Sequence, residues 1–343
     1  MLGFFSWKQY KLKRLLSKSA DKELAIIGRH NPSSDSIASA LAFKRLAEHF
    51  LVDAKIFYTG TILNKTLQNL VGEEFTQLSE FTTGKLPGRV ALIDTLPDGI
   101  PAWLKQKVVP SIVIARSPAA YRDFGTSFGD IRDEVETTSS ILVEYLEGFH
   151  LAIDKRLATL LLFAIRERTS MLMTRVTKFD LEAYYHIHRY IDPELLVLIE
   201  HPQSKAETFS DLSHAIDSRL IKGPHLFANA GYSKDPGSLQ KVCRYMLDLE
   251  GITTALVVSV NTAKIHIYCE TKNIGINVKG VLRKAFGEWG DVTGESGFAS
   301  ATMPLGLFGI ITGDTSESKK NLLASVNDSI SSRYFSTMES EGY

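Results

Sequence analysis

The sequence predicts a two-domain α/β protein, and three observations carry that expectation. The chain has 343 residues, more than one ordinary domain, and its 44% hydrophobic content is enough for two cores of moderate size. Short apolar runs that end in Gly, Pro or polar clusters alternate with segments of helical periodicity, as in a parallel sheet covered by helices on both faces. Around 191–208 that alternation is punctuated by Pro193 and Pro202, and a second, smaller set of strands and helices follows. The expected division is a first domain over 1–190, a linker over 191–208 and a second domain over 209–343.

Composition excludes several classes of function. The 39 basic and 39 acidic side chains cancel, so no global field draws the protein to nucleic acid or to an anionic membrane, and any such contact must be local. Cys243 and Cys269 lie far apart without CxxC spacing, which argues against a zinc site or a disulfide framework and fits a reducing cytoplasm. The longest apolar run, Leu157 to Ile165, is too short to span a bilayer and is flanked by Arg156 and Arg166. Lys8, Lys11, Lys13 and Arg14 interrupt the early apolar residues, so no secretory signal is expected.

Residues 1–18 carry five basic and no acidic side chains among Phe4, Phe5, Trp7, Leu12, Leu15 and Leu16. This reads either as an amphipathic helix for a membrane surface or polyanion, or as a helix packed on the first domain with its lysines in water. Leu24 to Ile27 is a strand, the cluster after it a loop, and Ile37, Ala40, Leu41 and Leu46 the start of a helix. In an open α/β sheet such a junction lies at the carboxyl edge of the strands, where sites form. Ala54 to Tyr58 is a second strand, and Val90 to Thr95 is a buried one that ends in Asp94. A carboxylate there is a site signal, because burying it without a partner is costly. In the second half, Leu226–Tyr232, Thr253–Val260 and Lys264–Glu270 read as strands, with helices at Ser238–Leu249 and Ile276–Phe286 and an amphipathic helix after Ser318.

HNPSSDSIASALAF, residues 30–43, resembles the first motif of the DHH phosphoesterases, usually written HxNPDxDAIxSALAL. TGTILNKTLQNLVG, VALIDT, DIRDEVETTSSILVEYL and KRLATLLLFAIRERT continue the likeness in order, nearest to the RecJ-like, archaeal nano-RNase and pAp-phosphatase branch. The second half resembles the accompanying DHHA1 domain. The resemblance implies a parallel-sheet DHH domain and a smaller α/β DHHA1 domain with a cleft between them. It also implies manganese-dependent hydrolysis of phosphodiesters or phosphomonoesters.

The implied metal ligands have mostly changed. On the first motif Arg29 stands in place of the His and Ser33 in place of the first Asp, while Asp35 survives. Asp94 matches the bridging carboxylate of the second motif. The DHH signature itself is replaced by Ala115, Arg116 and Ser117, and a later ligand Asp by Arg168. In the DHHA1 phosphate motif, Gly294 is kept and Glu295 replaces the His. Two carboxylates cannot build a two-metal cluster, although Asp35 and Asp94 together suffice for one weakly held ion.

The central expectation is therefore a degenerate site in which Arg29, Arg116 and Arg168 pair Asp35 and Asp94 directly, guanidinium matching carboxylate. In one reading the arginines simply satisfy the buried acids and the domain is a scaffold. In the other, three guanidiniums against two carboxylates leave net positive charge for a phosphate, with Arg166, Arg168, Gly294 and Glu295 as candidate contacts. The expected function is non-catalytic binding of a nucleotide, a short nucleic acid or a protein partner, such as an intact DHH paralogue or a second copy, with no cofactor. The alternative is an active phosphodiesterase or phosphatase on short oligonucleotides, pAp or cyclic dinucleotides, using Mn or Mg at an altered site.

Overall fold

The computed structural model describes residues 6–19, 22–62, 64–79, 86–117, 125–201, 206–233, 237–294, 296–306 and 315–343. The chain forms two compact units that divide between Pro202 and Gln203. The expected linker over 191–208 thus contains a helix of the first unit, Pro193–Glu200, and the start of one in the second, Ala206–Ser218.

The first unit is built on six parallel strands: β1 Glu23–Ile27, β2 Asp53–Tyr58, β3 Phe75–Gln77, β4 Val90–Ile93, β5 Pro110–Arg116 and β6 Phe128–Arg132, in the order β3-β2-β1-β4-β5-β6. Its helices are α1 Trp7–Ser17, α2 Ser34–His49, α3 Lys65–Val71, α4 Ala102–Lys105, α5 Thr138–Gly148, α6 Lys155–Arg168, α7 Lys178–His188 and α8 Pro193–Glu200. The strands are apolar on both sides because both faces are covered. Ile26, Ile56, Ile93 and Ile114 join α2, α5 and α6 in the larger core. Ile27, Phe57, Leu92 and Val113 pack on the other face with Ile100, Leu104 of α4 and Val108.

Helix α1 starts with a capping box, Ser6 Oγ accepting from the Gln9 N–H and Gln9 Oε1 from the Ser6 N–H, and buries Leu12 and Leu16. One face of the helix is packed on the first unit, as the second reading of this segment has it, while Phe4 and Phe5 lie outside the described residues. Lys8 reaches Asp130 of β6, an edge strand, at 2.5 Å.

The second unit has a mixed six-stranded sheet: β7 Leu220–Lys222, β8 His225–Tyr232, β9 Thr254–Val260, β10 Lys264–Thr271, β11 Asp291–Gly294 and β12 Phe298–Pro304, in the order β11-β12-β10-β9-β8-β7. Only β8 and β9 pair in parallel, joined by the crossover helix α10 Ser238–Leu247. Helices α9 Ala206–Ser218 and α10 cover one face, and α11 Val278–Phe286 and the closing helix Ser316–Ser340 the other. Both cysteines are free and buried here.

Candidate functional site

Strand order places the site. β1 and β4 are central neighbours, paired from Ala25↔Val90 to Ile27↔Leu92, yet the chain proceeds from β1 toward one edge and from β4 toward the other. That is a topological switch point, where the loops after the two strands part and open a crevice at their carboxyl ends. Arg29 follows β1, Asp94 follows β4, Arg116 ends β5 and Arg168 ends α6.

The backbone is strained around this crevice. Asp94 itself (φ 59°), Asn31 two residues after Arg29 (φ 54°), and the run Ser170, Met171 and Leu172 just after Arg168 (φ 48°, 61° and 64°) all adopt left-handed conformations. Such residues cost about 1–3 kcal/mol each and concentrate at functional sites. Asn31 is held by bonds from its N–H to Thr59 O and from Thr61 N–H to its Oδ1, which tie the loop after β1 to the loop after β2.

Asp35, in the first turn of α2, is buried and fully engaged. Its Oδ2 accepts from the Thr138 N–H at 2.9 Å, and its Oδ1 from the Ser139 N–H at 2.8 Å and the Ser139 hydroxyl at 2.6 Å. It therefore satisfies the N–H groups at the start of α5, where an anion is favoured by the helix dipole. Thr138 forms the next link: its hydroxyl accepts from the Arg116 N–H at 3.1 Å and donates to Asp94 Oδ1 at 2.9 Å.

Asp94 is the anomaly. The residue is partly exposed, but its Oδ2 is buried and has no hydrogen-bond partner among the described residues. Burial first, and then the nearby Asp35 charge, push its carboxyl up to about 7, against opposing effects of Arg29, the Thr138 bond and Arg168.

The arginine network exists in a different form from the one expected. Arg116 Nη2 lies 3.1 Å from Glu136 Oε2 and Arg168 Nε 3.3 Å from Glu136 Oε1, and the Glu136 side chain is only 9% exposed. Glu136, not Asp35 or Asp94, joins the two arginines. The reason is local: Glu136 sits just before Thr137, the N-cap of α5, so the turn that sends Thr138 and Ser139 to Asp35 sends its carboxylate to the arginines. Arg29 acts on Asp94 through its charge, and its N–H bonds to Ser36 Oγ at 3.2 Å. Among the described residues Glu136 thus joins Asp35 and Asp94 opposite the guanidiniums, so the expected count of two carboxylates is too small.

Ser33 is the N-cap of α2, accepting from the Ser36 N–H. Arg166 pairs with Glu200 of α8 at 2.7 Å. Gly294 lies in the β11–β12 hairpin of the second unit with φ 127°, where a Cβ would come within 2.5 Å of Phe298 O, so glycine is required by the turn. Glu295 lies outside the described residues. Glu136 is not among the sequence-predicted site residues; the signal available for it was an acid two residues ahead of a Thr-Ser helix start.

The chain has the fold of the DHH phosphoesterases. An exopolyphosphatase-related protein from Bacteroides fragilis superposes with a TM-score of 0.67 at 11% identity, covering 95% of this chain and 98% of that one. Manganese-bound exonuclease RecJ gives 0.52 at 11% identity over 95% and 93%, and CDC45 from Entamoeba histolytica 0.50 at 9% over 96% and 99%. In sequence, the chain is 33% identical over 291 residues to an uncharacterized protein of Methanocaldococcus jannaschii, a match of 83% of this chain and 59% of that protein. It therefore spans about three fifths of that relative's length. No protein-family profile matches the sequence.

The manganese in the RecJ structure raises the question whether these residues fit such ions. Both oxygens of Asp35 are committed to α5, Asp94 offers one unpaired oxygen, and guanidiniums stand nearby. Among the described residues no three His, Cys, Asp or Glu side chains come together to hold a metal. This donor set does not fit a two-metal cluster, which needs a bridging carboxylate and several further ligands for each ion.

Proposed function

We infer that this chain is a non-hydrolysing protein of DHH fold that binds a phosphate-bearing ligand, a nucleotide or short nucleic acid, at the switch-point crevice. The observation that carries this reading is the Arg116–Glu136–Arg168 bridge, in which two positions that the family resemblance assigns to metal ligands hold guanidiniums oriented by one buried carboxylate. A guanidinium stays charged and presents a donor fork suited to phosphate, so it supplies an anion site without activating water.

Asp94 sets the charge of that site. Arg29, Arg116 and Arg168 balance Asp35, Asp94 and Glu136 when Asp94 is ionised, and protonating Asp94 makes the surroundings one unit more positive. A bound phosphate favours the protonated form, so affinity falls as pH rises through about 7.

The test is calorimetric titration of the chelator-treated protein with Mn²⁺, then with the dinucleotide pApA, between pH 6 and 8. The reading expects no tight manganese binding and pApA binding that weakens toward pH 8 and on Arg168→Ala. Two tightly held ions per chain with turnover of pApA would overturn it.

A further inference from the structure

Helix α1 has two unlike faces. Lys8, Gln9, Leu12 and Leu16 turn toward the first unit, Leu12 and Leu16 buried, Lys8 bonded to Asp130 and Gln9 to the Glu144 carbonyl. Opposite them, at the spacing of successive turns, stand Trp7, Lys11, Arg14 and Lys18, with Tyr10 alongside. Trp7 is 71% exposed and Tyr10 59%, and the Lys11 ammonium lies 5.1 Å from the centre of the Trp7 ring. The helix contains no acidic residue.

We propose that this outward face of α1 is a docking surface for single-stranded nucleic acid, separate from the crevice. Two exposed aromatic rings one turn apart offer faces on which unpaired bases stack, and the row of Lys11, Arg14 and Lys18 tracks a phosphate backbone. The chain is neutral overall, so a helix with only basic charges is a local field rather than part of a general one. An anionic membrane is the poorer fit, because a membrane-bound amphipathic helix buries its apolar face in the lipid, and here that face is already buried in the protein. Duplex is disfavoured because its bases offer no free faces. The anchoring bonds of Lys8 and Gln9 keep the face pre-oriented, so little ordering accompanies binding.

The test uses the full chain and fluorescein-labelled dT12, followed by anisotropy at low salt. The parent is expected to bind with affinity falling as the power of about −2 in salt, as three phosphate contacts on a single strand give. Trp7→Ala is expected to weaken binding about 5- to 100-fold, the loss of one stacked base, and Lys11→Glu with Arg14→Glu to remove most of it. All three side chains face outward, so the thermal transition is expected to be unchanged. The same α1 variants are expected to keep pApA binding, while Arg168→Ala weakens pApA binding and keeps the α1-dependent part of dT12 binding, so failure of the crevice reading and failure of this one are distinguishable. No dT12 binding by the parent, or dT12 binding untouched by both α1 variants, overturns the proposal. So does loss, in those variants, of binding to phosphatidylserine vesicles with dT12 binding intact.

Discussion

Two carboxylates of the first unit, Asp130 and Asp94, are both flanked by arginine, yet their environments have opposite consequences. Asp130 is completely buried and accepts from Lys8 Nζ, from Arg132 Nε and Nη2 and from the Tyr145 hydroxyl, while Arg132 also bonds Glu144. Burial raises its carboxyl, but the Arg132 and Lys8 bonds outweigh that and hold it below the usual range. Asp94 has one bond, from Thr138, and a bare Oδ2, so burial wins and its carboxyl rises to about 7. A carboxylate whose lone pairs are filled is structure. One left half-satisfied beside guanidiniums keeps capacity for a ligand or a proton.

The largest expected effect breaks the satisfied member. Asp130→Ala leaves Arg132 and Lys8 without their shared acceptor and frees α1 from the sheet edge, at a cost of about 3–5 kcal/mol. Urea unfolding of the variant measures it, and a loss below about 1 kcal/mol would place Asp130 among ordinary surface acids.

The second prediction is a difference in the sign of pH dependence. Because Asp130 titrates lower in the folded protein than in the unfolded chain, its stabilisation is full above pH 4 and disappears in acid. Asp94 titrates higher when folded, about 7 against 3.8, so the folded state holds the extra proton and stability declines as pH rises from about 4 through 7. Asp94→Asn removes that decline. The variant is expected to exceed the parent by about 4 kcal/mol at pH 8, with the gap closing toward pH 4. Melting curves across that range decide it, and a constant gap would remove the pH argument.

Glu136→Gln sharpens the comparison from the arginine side. Leaving Arg116 and Arg168 without their bridge is expected to cost about 2 kcal/mol, read by urea unfolding, less than Asp130→Ala because both arginines reach solvent. Smallest is Thr138→Val, which deletes the hydroxyl between Arg116 N–H and Asp94 and is expected to cost about 1 kcal/mol. It also removes the one hydrogen bond that lowers the Asp94 carboxyl, so the Asp94-dependent decline in stability shifts to higher pH.

Much of the first unit was legible from residue order, because apolar runs such as Leu24–Ile27 and Val90–Ile93 are strands that must be buried on both faces, whatever surrounds them. The frame around Asp35 and the strand ending in Asp94 mark the same crevice for the same reason: a carboxylate at a strand end needs partners there. The span 191–208 was less legible, since Pro193 at the first position of a helix and Pro202 beyond its end punctuate in the same way as prolines in a linker.

What the sequence by itself determined is the fold and the placing of Asp35 and Asp94 at the carboxyl edge of the first sheet. Only the tertiary structure decided how they pair. Asp35 meets α5 across 103 positions of sequence, and Glu136, one of several acids in a short stretch, is the one turned to Arg116 and Arg168. Pairing of charges depends on distances of a few ångströms between side chains on different elements, and periodicity along the chain carries no information about that.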